Sequence, residues 1–556
     1  MNNIQVTADI KYNRFGFDHI IYVGSKKTMN DLVEEHLNYP RGEYFESIIA
    51  KIITLPLPYL SHMSTINRYL SDAIDDSILG MVLIDKISAL NGRIIVLTDN
   101  DAQSNKIVKF LIENNFDAQS DYLLVHKVIN FCRLSWGYLR SVYQLLMQVS
   151  LKSSNQQKTN NADIIQITWV NNLDVTRDSL YREDKYFGPI AFALKNRISF
   201  LGKILFNNPN KRPIINKIRD QDNFIDLMDQ FYSVKNKTLA VIMAHSIVLK
   251  SIWGRYIAGK IDFSGIVRRE LLRELVDGRL MRTCLDYYAF KDCFDRFNMN
   301  KTVLYPFENQ PWERALILAT RESSFKIKLV GLQFFPFVKG LPIYKKENKF
   351  LPDLFLTTDF NSNSLLEAEG AITHFIGSTR NGSFLMSEKL NNFERNTILC
   401  CLFLEKVEAI DLAKKAIHIS AALNLNLIIN YHPLMNPNVL SDITLMSGCC
   451  ENVKLVEGLA ADYFSQSLVI LYNSSSICYE AALRGVPIVY VENSMLPDLD
   501  RFHRQGKSFS DVNDGISLIR ELVTNKDIYY QYANKVYNVA NSIMRPLDLT
   551  NMENYI

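Results

Sequence analysis

The sequence predicts an α/β protein built from two Rossmann-like domains. From Ala371 onward, short apolar runs alternate with amphipathic helical patterns, which is typical of a parallel sheet covered by helices. Nearer the N-terminus, the apolar runs His19–Val23 and Arg93–Leu97 are each followed by a polar turn and a helical pattern. This second alternation favours another parallel sheet before Ala371.

Composition limits the class of protein. The 556 residues are 47% hydrophobic and 22% charged, which is enough for two or three domains with real cores and excludes a disordered scaffold. Lys and Arg number 62 and Asp and Glu 59, so the net charge is +3, and we expect no nucleic-acid partner. Local basic clusters at Arg268-Arg269, Arg273 and Lys345-Lys346 indicate a solvated face or, alternatively, contact with an anionic membrane surface or a lipid-linked acceptor.

The sequence leads us to expect neither a signal peptide nor a membrane-spanning segment. The N-terminal residues lack a basic region followed by an apolar one, and no window of about 20 residues is continuously apolar. The eight cysteines form no C-x-x-C pair, and reduced structural thiols fit best. We therefore expect a cytoplasmic protein.

The predicted elements divide the chain into two domains. A polar stretch at 152–161 reads as a linker, and helical patterns fill about 180–300, including amphipathic pieces at 225–232 and 266–276. Strands return at 302–305, 326–333 and 354–357. We expect an N-terminal domain over 1–368, with a possible sub-boundary at 152–161 and a helical insertion near 180–300, and a C-terminal domain over 369–556.

Within the C-terminal domain the elements follow one another regularly. Strands are predicted at 397–404, 425–431, 468–472 and 487–492, and helices at 406–423, 475–484, 512–524 and 527–544.

A small polar cluster follows one of these strands. The strand ends at Tyr472, and Asn473, Ser474, Ser475 and Ser476 come next, with a helix beginning among them. Backbone N–H groups at a helix start, together with serine hydroxyls, can bind a phosphate. The alternative is an ordinary helix cap with no ligand.

Two further side chains are candidates in this domain. His432 follows a strand and precedes Pro433, so it can donate a hydrogen bond or a proton to a departing phosphate, although a polar loop histidine is the alternative. Glu457 can accept hydrogen bonds from a ribose or sugar hydroxyl, or be a solvated loop carboxylate.

These motifs together resemble a known family. His-Pro at 432–433, Glu457, the cluster 473–476 and EAALRGVPIVYV at 480–491 resemble the C-terminal domain of bacterial GT-B glycosyltransferases that build capsule and lipopolysaccharide. The similarity is to Kdo, polysialic acid and nonulosonic acid transferases, which use CMP-activated acidic sugars, and it covers 425–492 well. The residues Asn430-Tyr431 stand where such motifs often have a basic residue, which leaves the donor open.

The resemblance implies a fold and an activity. It implies two Rossmann-like domains facing across a cleft, the first holding the acceptor and the second the donor. His432 would contact or protonate the donor phosphate, Ser474 and Ser475 would hold that phosphate, and Glu457 would lie near the ribose. The partners would be a nucleotide-sugar donor and a glycan or lipid-linked acceptor, with no metal and no cofactor beyond the co-substrate. That substrate class suggests peripheral association with the inner membrane.

Two alternatives remain open. A GT-B-like sugar-nucleotide epimerase or glycerophosphotransferase would keep the fold and change the reaction. A non-catalytic partner in a polysaccharide-assembly complex would change the class of protein.

The N-terminal domain offers acceptor-side candidates. Glu308 and Asn309 lie between a strand and a helix that Pro311 can begin, and Glu308 is placed as a general base, which contributes roughly 10²–10⁴-fold. Glu313 is the next carboxylate candidate, and Trp312 either stacks on a sugar or belongs to the core. Gln333, which ends another strand, could bind a sugar hydroxyl.

Other acidic patterns are weaker. Asp-x-Asp strings occur at 99–101, 220–222 and 498–500, and ordinary turn chemistry accounts for them. Asp174 is a weaker carboxylate candidate. We therefore predict metal-independent chemistry.

Overall fold

A computed structural model describes residues 19–22, 94–98, 118–120, 124–147, 162–170, 184, 186–194, 197–204, 215–216, 218, 225–258, 261–297, 300–337, 350–380, 382–403, 406–432, 435–448, 450–492 and 500–550. Several predictions from the sequence lie outside these residues. They concern the linker 152–161, Asp174, Lys345-Lys346, Pro433, the Asp-x-Asp strings at 99–101 and 220–222, and Asp498-Leu499 of the string at 498–500.

The described strands are, in chain order, β1 (His19–Tyr22), β2 (Ile94–Thr98), β3 (Ala118–Ser120), β4 (Ile164–Trp169), β5 (Ile198–Lys203), β6 (Ile225–Leu227), β7 (Ile257–Ala258), β8 (Ile261–Asp262), β9 (Lys301–Pro306), β10 (Ile327–Gln333), β11 (Leu354–Thr357), β12 (Thr373–Phe375), β13 (Thr397–Cys401), β14 (Asn426–Tyr431), β15 (Val453–Glu457), β16 (Val469–Tyr472), β17 (Ile488–Val491) and β18 (Lys507–Phe509).

The described helices are α1 (Leu124–Leu146), α2 (Ile190–Leu194), α3 (Val234–Ile252), α4 (Ser264–Val276), α5 (Arg279–Phe294), α6 (Pro311–Arg321), α7 (Phe360–Ala368), α8 (Gly382–Leu385), α9 (Lys406–Leu423), α10 (Pro437–Ser447), α11 (Ile477–Leu483), α12 (Val512–Thr524) and α13 (Lys526–Ile543). Two 3₁₀ segments, Met228–Phe231 and Ala460–Gln466, complete the described elements.

The six-stranded sheet has the order β15-β14-β13-β16-β17-β18, and every neighbouring pair is parallel. The chain runs outward from β13 to β15, returns to the other side of β13 at β16, and continues outward to β18. This is the doubly wound order of a Rossmann sheet, with its switch point between β13 and β16.

The seven-stranded sheet has the order β12-β11-β10-β9-β4-β5-β6. Its winding is the same, because the chain runs outward from β4 to β6 and then returns to the other side of β4 at β9. The pairs β4–β5, β4–β9, β5–β6 and β11–β12 are parallel. The switch point of this sheet lies between β4 and β9, and the predicted class of two Rossmann-like α/β sheets is confirmed.

Contacts divide the chain into two compact units. The first unit comprises Met1–Arg182, Lys195–Val330 and Glu347–Pro352, and the second comprises Glu183–Leu194, Gly331–Lys346 and Asp353–Ile556. A small parallel sheet, β1-β2-β3, and the antiparallel pair β7–β8 also belong to the first unit.

Burial explains the central strands of the second unit. Every residue of β13, β16 and β17 is buried, as expected for parallel strands covered on both faces. Because such strands read as continuous apolar runs, they were predictable from sequence. Helices cover them: Ala409, Leu412 and Ala413 of α9 belong to the same buried cluster as Ile398 and Ile470.

The segment 180–300 differs in part from the prediction. Ile198–Lys203 forms the fully buried strand β5, and the piece 225–232, predicted as an amphipathic helix, is strand β6 followed by a 3₁₀ segment. The run is too short for its helical periodicity to determine its structure, and its first residues instead form a strand by pairing with β5. The described helices of this segment are mainly α3, α4 and α5, from Val234 to Phe294.

A helix that crosses a bilayer needs about 20 consecutive apolar residues. Among the described residues, no helix is both long enough and apolar enough to cross one.

Candidate functional site

The serine cluster after β16 is fastened to helix α9. The buried Ser474 donates a hydrogen bond of 2.7 Å from Oγ to Oε2 of Glu408, which is 0% exposed. Asn473 donates from Nδ2 to the Glu408 carbonyl at 3.4 Å and accepts the Ser474 N–H at 2.9 Å. The first two residues of the predicted phosphate cluster therefore hold the turn in place.

The next two serines are more accessible. Ser475 and Ser476 are half-buried, and Ser475 Oγ accepts the Ile477 N–H at 3.3 Å. Helix α11 begins immediately after Ser476. Of the four predicted residues, Ser476 lines a pocket.

This pocket lies within the second unit and is small and open to solvent. It is lined by residues that follow strands and by parts of α11 and the chain after α13: Phe334, Pro336, Thr358, Ser378, Arg380, Ser476, Tyr479, Glu480 and Met544. Phe334 follows β10, Thr358 follows β11, Ser378 and Arg380 come shortly after β12, and Ser476 comes after β16. Ligands of α/β proteins bind at the carboxyl ends of parallel strands, which is where most of this lining originates.

The pocket combines a cation, an acid and hydroxyl groups. Arg380 is exposed and Glu480 is half-buried. Burial raises the pKa of Glu480 above its ordinary value, and the nearby Arg380 opposes this in part. The guanidinium can bind an anionic group, the hydroxyls of Thr358, Ser378 and Ser476 can donate hydrogen bonds, and the carboxyl group of Glu480 can accept them from a sugar hydroxyl.

Gln333 supports the wall of this pocket. Its side chain is 0% exposed, and its Oε1 accepts the N–H of Thr358 at 2.9 Å. Its Nε2 donates to Oδ2 of Asp359 at 2.8 Å and to the carbonyl of Phe335. Asp359 caps α7 by accepting the Ser362 N–H at 2.8 Å, and burial raises its pKa. Gln333 thus positions Thr358.

Arg501 links the serine turn to another wall of the pocket. Its Nε donates to the Ser474 carbonyl at 2.6 Å, and its Nη1 donates to the Pro336 carbonyl. The guanidinium lies 5.2 Å from the centre of the Phe335 ring. Tyr479, which lines the pocket, donates from its hydroxyl to the Arg501 carbonyl at 2.7 Å.

His432 and Glu457 lie together at the ends of neighbouring strands. Tyr431, just before His432, is the register partner of Glu457 in the pair β14–β15. His432 and Glu457 are both exposed. Partial desolvation of the imidazole lowers the pKa of His432. The described residues that line the pocket include neither of them.

In the first unit, the loop after β9 is built around Glu313. Its Oε1 accepts the Glu308 N–H and its Oε2 accepts the Asn309 N–H, both at 2.9 Å. Asn309 is buried and has a left-handed φ of 57°. Glu313 is the third residue of α6 and is 1% exposed, and burial raises its pKa well above its ordinary value. The carboxyl group thus binds the backbone of the loop, while Glu308 itself is half-buried.

Trp312 lies in an aromatic cluster of the same unit. It is 7% exposed, and its ring centre is 6.1 Å from that of Trp169 and 6.2 Å from that of Tyr305. The Lys203 ammonium lies 5.1 Å from the Trp312 ring and pairs with Asp286 at 2.9 Å.

Arg380 and Glu480 were not identified from the sequence. Glu480 stands four residues after Ser476, so the two share one helical face, and this spacing could have indicated it. Arg380 lies in a loop about 90 residues before the serine cluster, and no local pattern connects the two. Among the described residues, no group of three or more His, Cys, Asp or Glu side chains is arranged to hold a metal ion.

Comparison with known proteins gives only distant structural likeness. No protein-family model and no curated protein matches the sequence. The chain is similar to the UDP-GlcNAc 2-epimerase of Neisseria meningitidis bound to UDP-GlcNAc, with 13% identity over 70% of this chain and 97% of that one and a TM-score of 0.41.

Two glycosyltransferase structures show similar likeness. The pneumococcal O-GlcNAc transferase GtfA in complex with UDP and GlcNAc has 11% identity over 71% of this chain and 98% of that one, with a TM-score of 0.43. A glycosyltransferase from Rickettsia africae has 9% identity over 71% and 97%, with a TM-score of 0.40. The function is therefore argued from the residues of the site.

Proposed function

We propose that this chain is a nucleotide-sugar-dependent glycosyltransferase whose donor binds in the pocket of the second unit. The observation that carries the proposal is the convergence of Arg380, Glu480 and three hydroxyl groups in one pocket beside the serine turn. A nucleotide sugar has an anionic phosphate next to hydroxyl-rich rings. The pocket supplies a cation for the first and hydrogen-bonding groups for the second.

Each residue has a proposed role. Arg380 binds the donor phosphate, and the Ser476 hydroxyl donates to a phosphate oxygen. Glu480 accepts a hydrogen bond from a ribose or sugar hydroxyl. Ser474 and Asn473 position the turn through Glu408. Neither His432 nor Glu308 lines this pocket. From the sequence, His432 is proposed to protonate or hydrogen-bond the leaving phosphate and Glu308 to deprotonate the acceptor hydroxyl.

The donor is proposed to be a CMP-activated acidic sugar, transferred to a surface glycan or a lipid-linked acceptor. A single cation in the pocket can pair with the phosphate or with the sugar carboxylate, so an acidic sugar is compatible with the lining. The choice of CMP as the nucleotide and of a surface glycan or lipid-linked acceptor rests on the family resemblance of the segment 425–492.

Ligand-induced thermal stabilisation tests the donor site. A nucleotide that binds the folded state raises its stability by about 2.7 kcal/mol at a hundredfold excess over Kd. We expect CMP to stabilise the wild type, and Arg380→Ala to weaken that response. The exposed Arg395 in the same unit provides a matched control, and Arg395→Ala should respond as the wild type does.

The other outcomes separate the alternatives. Stabilisation by UDP or GDP in place of CMP discards the acidic-sugar donor and keeps the transferase proposal. Isomerisation of a sugar nucleotide without acceptor replaces the transferase by an epimerase. If no nucleotide stabilises the protein at millimolar concentration, the pocket is not a donor site, and a non-catalytic role becomes the better explanation.

A further inference from the structure

Helix α1 carries an exposed apolar stripe on one face. The stripe consists of Trp136, Leu139, Tyr143, Leu146 and Met147, which are between 48% and 70% exposed. Their spacing of three, four and seven residues places them on the same side of the helix. Opposite them, Ser141 and Leu145 are buried, and Ser141 Oγ donates to the Val276 carbonyl at 2.8 Å. The stripe therefore faces away from the helices against which α1 packs.

Helix α1 and its neighbour α3 are both basic in sequence. Helix α1 has three Lys or Arg residues over Leu124–Leu146, α3 has three over Val234–Ile252, and neither sequence contains an Asp or a Glu. The whole chain is nearly balanced, with 62 basic and 59 acidic residues, so this is a local bias. Arg140 is exposed on the stripe's own face, since it stands four residues after Trp136 and three before Tyr143.

The two helices are direct neighbours. The Tyr138 hydroxyl lies 2.9 Å from Nε2 of His245, and Lys237 of α3 donates from Nζ to the Leu146 carbonyl at 3.1 Å. Of the basic residues of α3, Lys235 and Lys250 are exposed, whereas Lys237 is buried against the end of α1.

We propose that the α1 stripe binds the surface of an anionic phospholipid bilayer. An interfacial helix inserts Trp, Tyr and Leu side chains at the boundary between headgroups and acyl chains, while Lys and Arg attract anionic lipid. The stripe supplies these apolar and aromatic side chains, and the two helices supply basic charge with no acidic residue to oppose it. This surface belongs to the first unit and is independent of the donor pocket of the second.

Vesicle sedimentation tests the proposal on the full chain. We expect binding to phosphatidylcholine vesicles that contain phosphatidylglycerol and little binding to phosphatidylcholine alone. The double substitution Trp136→Ser/Leu139→Ser should weaken binding about tenfold or more, because it removes apolar area from the stripe. Arg140→Glu should weaken it by roughly tenfold or more and decrease its sensitivity to salt, because less electrostatic attraction remains to be screened. Leu445→Ser is the matched control, since Leu445 is 77% exposed on α10 of the other unit.

Tryptophan fluorescence gives a second measurement with a conservative variant. The chain has four tryptophans, and Trp136 is one of them. Insertion of Trp136 should shift the emission of the wild type to shorter wavelength when anionic vesicles are added. Trp136→Phe keeps an apolar ring, so it should still sediment with vesicles while most of the shift disappears.

Three results would overturn the proposal. The first is the absence of binding to anionic vesicles, and the second is binding that the stripe variants leave unchanged. The third is a wild-type dimer in analytical ultracentrifugation that Trp136→Ser/Leu139→Ser dissociates, without vesicle binding, which would assign the stripe to a second copy of the chain. Thermal stabilisation by nucleotides is measured separately, so its failure would bear on the donor pocket alone.

Discussion

Glu313 accepts two backbone hydrogen bonds of 2.9 Å, from Glu308 and Asn309, while its side chain is 1% exposed. Removing the carboxyl group leaves these two backbone N–H groups without their acceptor, and a buried donor that loses its partner costs about 1–3 kcal/mol. We expect Glu313→Ala to lower the free energy of unfolding by about 2–4 kcal/mol. For the roughly 320 residues of the first unit, with an unfolding entropy of about 2.1 cal/mol/K per residue, that corresponds to a fall in Tm of roughly 3–6 °C.

The effect of Glu313 should also depend on pH. Burial raises its pKa above the ordinary 4.5, so the neutral form is favoured in the folded state. Such a group contributes stability that is fully present below pH 4.5 and is lost as pH rises through the raised pKa. Glu313→Gln does not titrate, so the wild type should gain stability relative to this variant as pH falls towards 4.5.

Differential scanning calorimetry from mildly acidic to neutral pH measures both effects. Glu394→Ala, at an exposed position, is the control and should melt within about 1 °C of the wild type. The reasoning is refuted if Glu313→Ala melts with this control, or if the difference between wild type and Glu313→Gln does not change with pH.

Two further comparisons test the second unit. Ser474→Ala should lower the free energy of unfolding in urea by about 1–2 kcal/mol, because it removes the hydrogen bond to the buried carboxyl group of α9, whereas Ser475→Ala should cost about 0.5 kcal/mol. Equal losses would contradict the anchoring role of Ser474. Gly377→Ala should lower the melting temperature more than Gly370→Ala. Both glycines have a positive φ, of 82° and 77° respectively. Only at Gly377 would the added Cβ lie 2.3 Å from the Pro546 carbonyl oxygen. Equal melting temperatures for these two variants would exclude that close contact.

The elements that were predictable from sequence are those whose burial follows a simple period. Helices α9 and α12 have the predicted bounds, 406–423 and 512–524, because each is long and carries a continuous apolar face. Strands β13, β14, β16 and β17 lie within the predicted ranges because buried parallel strands are continuous apolar runs.

The unpredicted strands lie at the edges of the second sheet. β15 and β18 were not predicted, and they form its two edges. Several residues of each are exposed or half-buried, and the two strands are only five and three residues long. A short edge strand is defined by pairing with its neighbour, which the local sequence does not encode.

The candidate site, too, was only partly predictable from the local sequence. Local pattern locates the turn Asn473–Ser476 after a strand, but not the direction in which each side chain points. Ser474 turns towards Glu408, which lies 66 positions earlier in the chain. Arg380 enters the pocket from the loop after β12, a strand of the other sheet. Both features depend on contacts distant in sequence, which no local pattern records.

The two sheets place their candidate loops at equivalent positions. In chain order, β9 is the fourth strand of the seven-stranded sheet and β16 is the fourth strand of the six-stranded sheet. Each of these two strands lies beside the switch point of its sheet. Glu308 follows β9, and the serine turn follows β16. In each loop a buried carboxyl group binds the turn: Glu313 accepts backbone N–H groups, and Glu408 accepts the Ser474 hydroxyl. Fixing a loop before a ligand arrives reduces the entropy lost on binding. Changes at Glu313 or Glu408 should therefore weaken ligand binding through the position of the loop, whereas changes at Arg380 should weaken it through direct loss of a contact.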